Sequence, residues 1–132
     1  MKEISHREFS SEKPQPEIFD FETYQIGAAR TATYPDAGTE DQFAKTYVIL
    51  GLAGEVGELA NAWKKVLRGD YAGGMTLEAR EKLLGEVGDC LWYLSRICSE
   101  FGVTLNYVAR SNLEKLASRQ ERNQIKGSGD NR

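Results

Sequence analysis

Histidine is almost missing from this 132-residue chain: there is one, His6. A metal site built from several imidazoles of one chain is therefore excluded, and so is a Ser-His-Asp or Cys-His set in the chain's main body. The two cysteines, Cys90 and Cys98, have neither the number nor the spacing of a zinc site or a disulfide framework. Free thiols point to a reducing, cytoplasmic compartment. No stretch approaches 18 apolar residues, so no membrane span is expected. The first 17 residues, MKEISHREFSSEKPQPE, carry charges with no apolar run behind them, unlike a secretory signal. Proline occurs at 14, 16 and 35 and nowhere later, so helix is permitted along nearly all of the remaining chain.

What is present is an ordinary globular balance, 40% hydrophobic and 28% charged, in a length suited to one domain. The net charge of −3 is unevenly spread. Residues 1–38 hold 4 basic and 7 acidic side chains, residues 39–102 hold 7 and 10, and residues 103–132 hold 6 and 3. An acidic body with a basic end lacks the basic face of a duplex nucleic-acid binder. Such a balance suits a phosphate-bearing small ligand held between metal ions and a few cations.

Residues 1–18 read as a polar arm, 19–122 as one helical domain and 123–132 as a polar tail. A first helix is predicted over 19–32, stopping ahead of Tyr34-Pro35. Thr39-Glu40-Asp41-Gln42 fits a capping box and predicts the start of a second helix that ends near Arg68, before Gly69. After the loop GDYAGGMT, helices are predicted over 77–100 and 105–122. Leu52, Val56, Leu59, Trp63 and Val66 form an apolar stripe on the second helix; Val87, Leu91, Leu94, Cys98 and Phe101 form one on the third. These stripes, Trp63 included, are expected to face the core. No run alternates with period two, so the expected class is all-α: a four-helix bundle with two long antiparallel central helices.

The chemistry concentrates in an internal echo. GEVGE at 54–58 returns as GEVGD at 85–89. Each copy sets two carboxylates at i and i+3, Glu55 with Glu58 and Glu86 with Asp89, about 60° apart around a helix. If the two helices pack antiparallel, the pairs converge, and four carboxylates in one place require a cation. An all-oxygen set suits Mg²⁺ or Mn²⁺. Gly51, Gly54, Gly57, Gly85 and Gly88 lie inside these predicted helices, each at a cost of about 1 kcal/mol relative to alanine. Close approach by a neighbouring helix or a ligand is the expected compensation.

The paired motif resembles the MazG-like nucleoside triphosphate pyrophosphohydrolases, whose pattern is EExxE on one helix and EExxD on the next. Gly54 and Gly85 stand where the family has the first Glu of each motif. The similarity extends through LAGEVGELANAWKKVLRGD, LLGEVGDCLWYLSRI and NLEKLASRQERNQIKGSGDNR, about residue 19 to the C-terminus. It implies a MazG-like bundle, with Glu55, Glu58, Glu86 and Asp89 as Mg²⁺ ligands. It also implies an Asn and a Lys near the triphosphate, carried here by Asn112 and Lys115. The activity implied is Mg²⁺-dependent hydrolysis of an NTP, a dNTP or an alarmone to monophosphate and pyrophosphate. Sister families acting on dUTP or phosphoribosyl-ATP share the bundle.

Further residues are read from their spacing. Lys65, seven residues after Glu58, shares its helix face and is placed to hold phosphate, with Lys64 and Arg68 as neighbours. Tyr93, four residues after Asp89, is placed on the acidic face as a ligand contact, a role the resemblance favours over a core tyrosine. Trp92 is open to base stacking. Arg96 and Arg119 carry weaker signals, Arg96 reading as a surface cation. With water as the nucleophile left over, Glu58 is the first choice of general base. A di-metal redox bundle needs Glu-x-x-His on two helices, and residues 19–132 contain no histidine. The alternative to an enzyme is a non-catalytic nucleotide- or protein-binding helical module. The nearly continuous apolar run Tyr47, Val48, Ile49, Leu50 and Leu52 wraps around its helix and predicts a homodimer or homotetramer.

Overall fold

The computed structural model describes residues 19–122, and these form four α-helices with no strand among them. They are α1 (Phe21–Ala29), α2 (Gln42–Leu67), α3 (Leu77–Glu100) and α4 (Leu105–Glu121). The arm and tail assigned to 1–18 and 123–132, with His6, lie outside the described residues.

Each helix opens on a side-chain cap that accepts from the backbone N–H three residues on. The pairs are Asp20 with Thr23, Asp41 with Ala44, Thr76 with Ala79, and Thr104 with Tyr107. The cap of α2 is therefore Asp41, not Thr39. Glu40 sits at φ 60°, a left-handed conformation that cannot belong to a right-handed helix, so α2 starts after it. Thr39 instead donates its hydroxyl to the Asp36 carbonyl (2.8 Å). α1 ends at Ala29, three residues earlier than expected. There the Thr31 hydroxyl donates to the Ala28 carbonyl and accepts the indole N–H of Trp92 (2.8 Å), fixing the chain as it leaves the helix. α2 stops where Gly69 adopts φ 85°, a conformation a side chain would strain.

α2 and α3 pack along their length and, among the described residues, α2 packs on no other helix, whereas α1 and α4 pack on α3 and on each other. Lys45 meets Phe101, Gly51 meets Tyr93 and Glu55 meets Glu86 and Asp89, so the α2–α3 pair is antiparallel. Gln25 ties the other helices together. Its amide donates to the Ser99 hydroxyl (3.0 Å) and the Val103 carbonyl (3.2 Å), and its oxygen accepts from the Leu105 N–H (2.8 Å).

The buried centre is small. Tyr34, Ala44 and Val48 form it, with Ala32, Ala37, Trp92, Tyr93 and Ile97 packed around them. The expected apolar stripes are only partly covered: Val56, Trp63, Val87, Leu94 and Phe101 are all exposed, Trp63 at 45%. The reason is architectural, because α2 has a helix on one side only. Lys45 lies over the Phe101 ring (5.1 Å to its centroid) at the edge of the α2–α3 contact, and Ile49, Val56 and Trp63 share the Lys45 face of α2.

The largest fully buried side chain among the described residues is that of Glu100, with no exposed surface. Its carboxylate accepts from the Tyr34 hydroxyl and from the N–H groups of Gly38 (2.7 Å) and Glu40 (3.1 Å). Arg96 is buried beside it, its Nε donating to the Tyr34 hydroxyl oxygen (3.3 Å) and its guanidinium 3.9 Å from Glu100. Arg96 is thus a core residue rather than a surface cation. Burial pushes the Glu100 carboxyl up, but the hydrogen bonds from Tyr34, Gly38 and Glu40, with the charge of Arg96, outweigh it and leave the group below its ordinary value.

Candidate metal centre

The two glycine-flanked motifs fall on facing stretches of α2 and α3 because the helices are antiparallel and of similar length. Their i, i+3 spacing turns Glu55 towards α3, and Glu86 and Asp89 towards α2. Carboxylate oxygens of Glu55, Glu86 and Asp89 lie within 4.8 Å of one another. Glu86 is only 9% exposed, Glu55 is half-buried and Asp89 opens to solvent. The Glu55 carboxyl is held above its ordinary value, first by burial and then by the charges of Asp89, Glu86 and Glu58. Partly desolvated carboxylates that repel one another form a hard-oxygen donor set, the chemistry that Mg²⁺ or Mn²⁺ satisfies. The set fits the ion.

Glu58 is not one of the three. It is exposed, one turn beyond Glu55, and reaches the cluster only through its field. Lys82 donates to Glu86 at 2.9 Å, four residues away on α3. Tyr93 lies under Gly51: a Cβ there would stand 2.1 Å from Tyr93 Cε1, so this glycine admits the ring. The Tyr93 hydroxyl is raised above its ordinary value by burial, then by Tyr47, Glu55 and Asp89. Around Gly54, Gly57, Gly85 and Gly88 nothing lies within 4 Å of a Cβ position. Close packing among the described residues therefore explains one of the five helical glycines and not the other four.

Trp92 is less open than expected. Its indole N–H is committed to Thr31, and its ring meets Tyr34 and Tyr93 edge-on at centroid distances of 6.2 and 4.9 Å. It still lines an open groove of about 280 Å³ between α1 and α3, with Phe19, Tyr24, Gly27 and Thr31. Tyr24 is raised by burial and by the charge of Asp89, which places this groove beside the acidic cluster. Lys65 is half-buried near the end of α2, close enough to Asp70 to act on its charge. Asn112 and Lys115 sit on α4, which packs on α3. Both line a groove on α4 with Tyr107, Val108 and Ser111, and α4 has no contact with α2.

Two residues escaped the sequence reading. Lys82 carried a signal, its i, i+4 spacing to Glu86. Tyr24 carried none, because its neighbour Asp89 is 65 residues away.

Residues 43–123, more than half of the chain, match the MazG nucleotide pyrophosphohydrolase domain, and the match spans both carboxylate motifs. The chain belongs to the MazG family. The MazG match begins inside α2 and takes in all of α3 and α4, leaving α1 outside it. The chain is also similar to the Gene 37 protein of Mycobacterium phage L5, with 48% identity over 110 residues, covering 83% of this chain and 96% of that protein. No solved structure matches it.

Proposed function

We propose that the chain is a divalent-metal-dependent nucleoside triphosphate pyrophosphohydrolase, releasing a nucleoside monophosphate and pyrophosphate from an NTP, a dNTP or an alarmone. The observation that carries the reading is the convergence of Glu55, Glu86 and Asp89 in a chain of the MazG family. Those three side chains would hold Mg²⁺, with Mn²⁺ as the alternative, and Glu58, the fourth carboxylate expected from the sequence, stands one turn from Glu55 beside them. When bound, the ion neutralises phosphoryl charge and makes water more acidic.

Glu58 is the carboxylate left outside the tight group, exposed and one turn away, and it serves as general base. It takes a proton from the attacking water as the new O–P bond forms at the α-phosphorus. The bond to the bridging oxygen breaks, and the pyrophosphate leaves as an anion. Lys65, on the same face as Glu58, steadies that anion. Trp92, which lines the α1–α3 groove, receives the nucleoside end, and Tyr93, edge-on to it and packed under Gly51, backs it from the α2 side.

The working form is a homodimer or homotetramer. Ile49, Val56, Trp63 and Leu67 of α2, Val87 and Leu94 of α3, and Phe101 just past the end of α3 are exposed large apolar side chains. A helix pair with such a face is normally covered, and a second copy is the simplest cover. Asn112 and Lys115, on the α4 groove with Tyr107, Val108 and Ser111, approach the triphosphate in this reading. No helix among the described residues is long and apolar enough to cross a membrane, and both cysteines are unpaired, which supports a reducing cytoplasmic setting.

The test is a panel of nucleotides assayed with Mg²⁺ for pyrophosphate against orthophosphate. Pyrophosphate release that vanishes in Glu86→Gln, with helicity retained, supports the reading. Stepwise orthophosphate release overturns it. An absence of turnover across the panel favours the non-catalytic module.

A further inference from the structure

The ammonium of Lys82 stands 2.9 Å from Glu86 Oε1, on the ligand whose residue is the least exposed of the three. The two ends of this ion pair differ. The Glu86 side chain is 12% exposed and the Lys82 side chain 44% exposed, so the carboxylate is fixed in the protein while the lysine can swing away. Lys82 also lies within the field of Glu58 and Tyr71, so an alternative acidic neighbour awaits its ammonium when it leaves Glu86. Its four-carbon stem gives it that freedom. Arg80 has a different partner, Glu81, at 3.5 Å, and does not address the cluster.

We propose that Lys82 is a displaceable counter-cation of the acidic site, occupying Glu86 until a divalent ion takes its place. This inference rests on the metal-site reading above and adds an internal competitor to it. A cation entering between Glu55, Glu86 and Asp89 must take the charge of Glu86, and Lys82 holds one of its two oxygens. Removing the ammonium therefore strengthens metal binding, although it deletes an ion pair of the folded protein. The competition is local, because it requires the Glu86 carboxylate and not merely a positive charge nearby.

The experiment is calorimetric titration of Mn²⁺ into the full chain, stripped of metal with EDTA and dialysed. The proteins are the wild type, Lys82→Met, Lys82→Arg, Glu86→Gln and the Lys82→Met/Glu86→Gln double variant. Lys82→Met should bind Mn²⁺ about three- to tenfold more tightly than the wild type, since unit charges about 4 Å apart interact by about 1 kcal/mol even in water, and Lys82→Arg within about twofold of it. In the Glu86→Gln background the effect of Lys82→Met should fall below about twofold, the signature of two residues acting through one contact. Equal Mn²⁺ affinity for wild type and Lys82→Met overturns the proposal while leaving the metal site standing. A tightening that persists undiminished in the Glu86→Gln background also overturns it, since the effect is then through-space repulsion. Absence of Mn²⁺ binding in every protein overturns both readings.

Discussion

Gly51 offers the sharpest check on how the acidic site is supported. Replacing it with alanine would ordinarily stabilise a helix interior by about 0.5–1 kcal/mol. Here the added methyl would stand 2.1, 2.4 and 2.8 Å from Cε1, Cζ and Cδ1 of Tyr93. The ring is not the free end of a flexible chain: it meets Trp92 edge-on at 4.9 Å and belongs to the packed aromatic group around Tyr34. Overpacking of this kind costs about 1–3 kcal/mol. The net expectation for Gly51→Ala is therefore a loss of about 0.5–2 kcal/mol, with the sign opposite to helix propensity. In a Tyr93→Ala background the obstacle is gone, and the same substitution should stabilise by about 0.5–1 kcal/mol, giving a coupling of about 1–3 kcal/mol between the two positions. Urea denaturation of the four proteins at one concentration measures the cycle. A Gly51→Ala protein as stable as the wild type, or equal effects in both backgrounds, would refute the close approach of α2 and Tyr93.

Glu100→Gln should destabilise the fold by about 2–4 kcal/mol, because an amide cannot accept from Tyr34, Gly38 and Glu40 together without turning a donor on one of them. Glu100 is held below its ordinary value in the folded chain, so its stabilisation is complete above the ordinary carboxylate range and is lost as pH falls through the lowered value. Melting temperatures between about pH 6 and pH 3 should fall more steeply for the wild type than for Glu100→Gln; parallel profiles would remove Glu100 from the account. For assembly, the wild-type melting temperature should rise with protein concentration, and Val56→Glu should abolish that rise by charging the exposed face. Sedimentation of a folded, active wild-type species of 14.8 kDa at micromolar concentration would contradict the oligomer.

Helix identity and the acidic motifs were legible in one dimension because both are local. Caps, glycine stops and the i, i+3 carboxylate pairs depend on residues within one or two turns, and the predicted α3 matches the observed Leu77–Glu100. The match to the MazG family over residues 43–123 likewise reflects motifs read along the chain. Periodicity, however, reports only that a helix has an apolar face. It does not say what covers that face, so Trp63 reads as core yet stands 45% exposed on a helix with one neighbour. The register of α2 against α3 decided that Glu55, Glu86 and Asp89 meet and that Glu58, though on the same motif, stays outside. Arg96 looked like a surface cation, and Glu100 drew no reading at all, because their partners lie 60 or more residues away in a loop whose left-handed turns at Asp36 and Glu40 leave no pattern of apolar spacing. Spacing along a helix fixes direction around its axis; only the packing of one helix on another fixes what each direction meets.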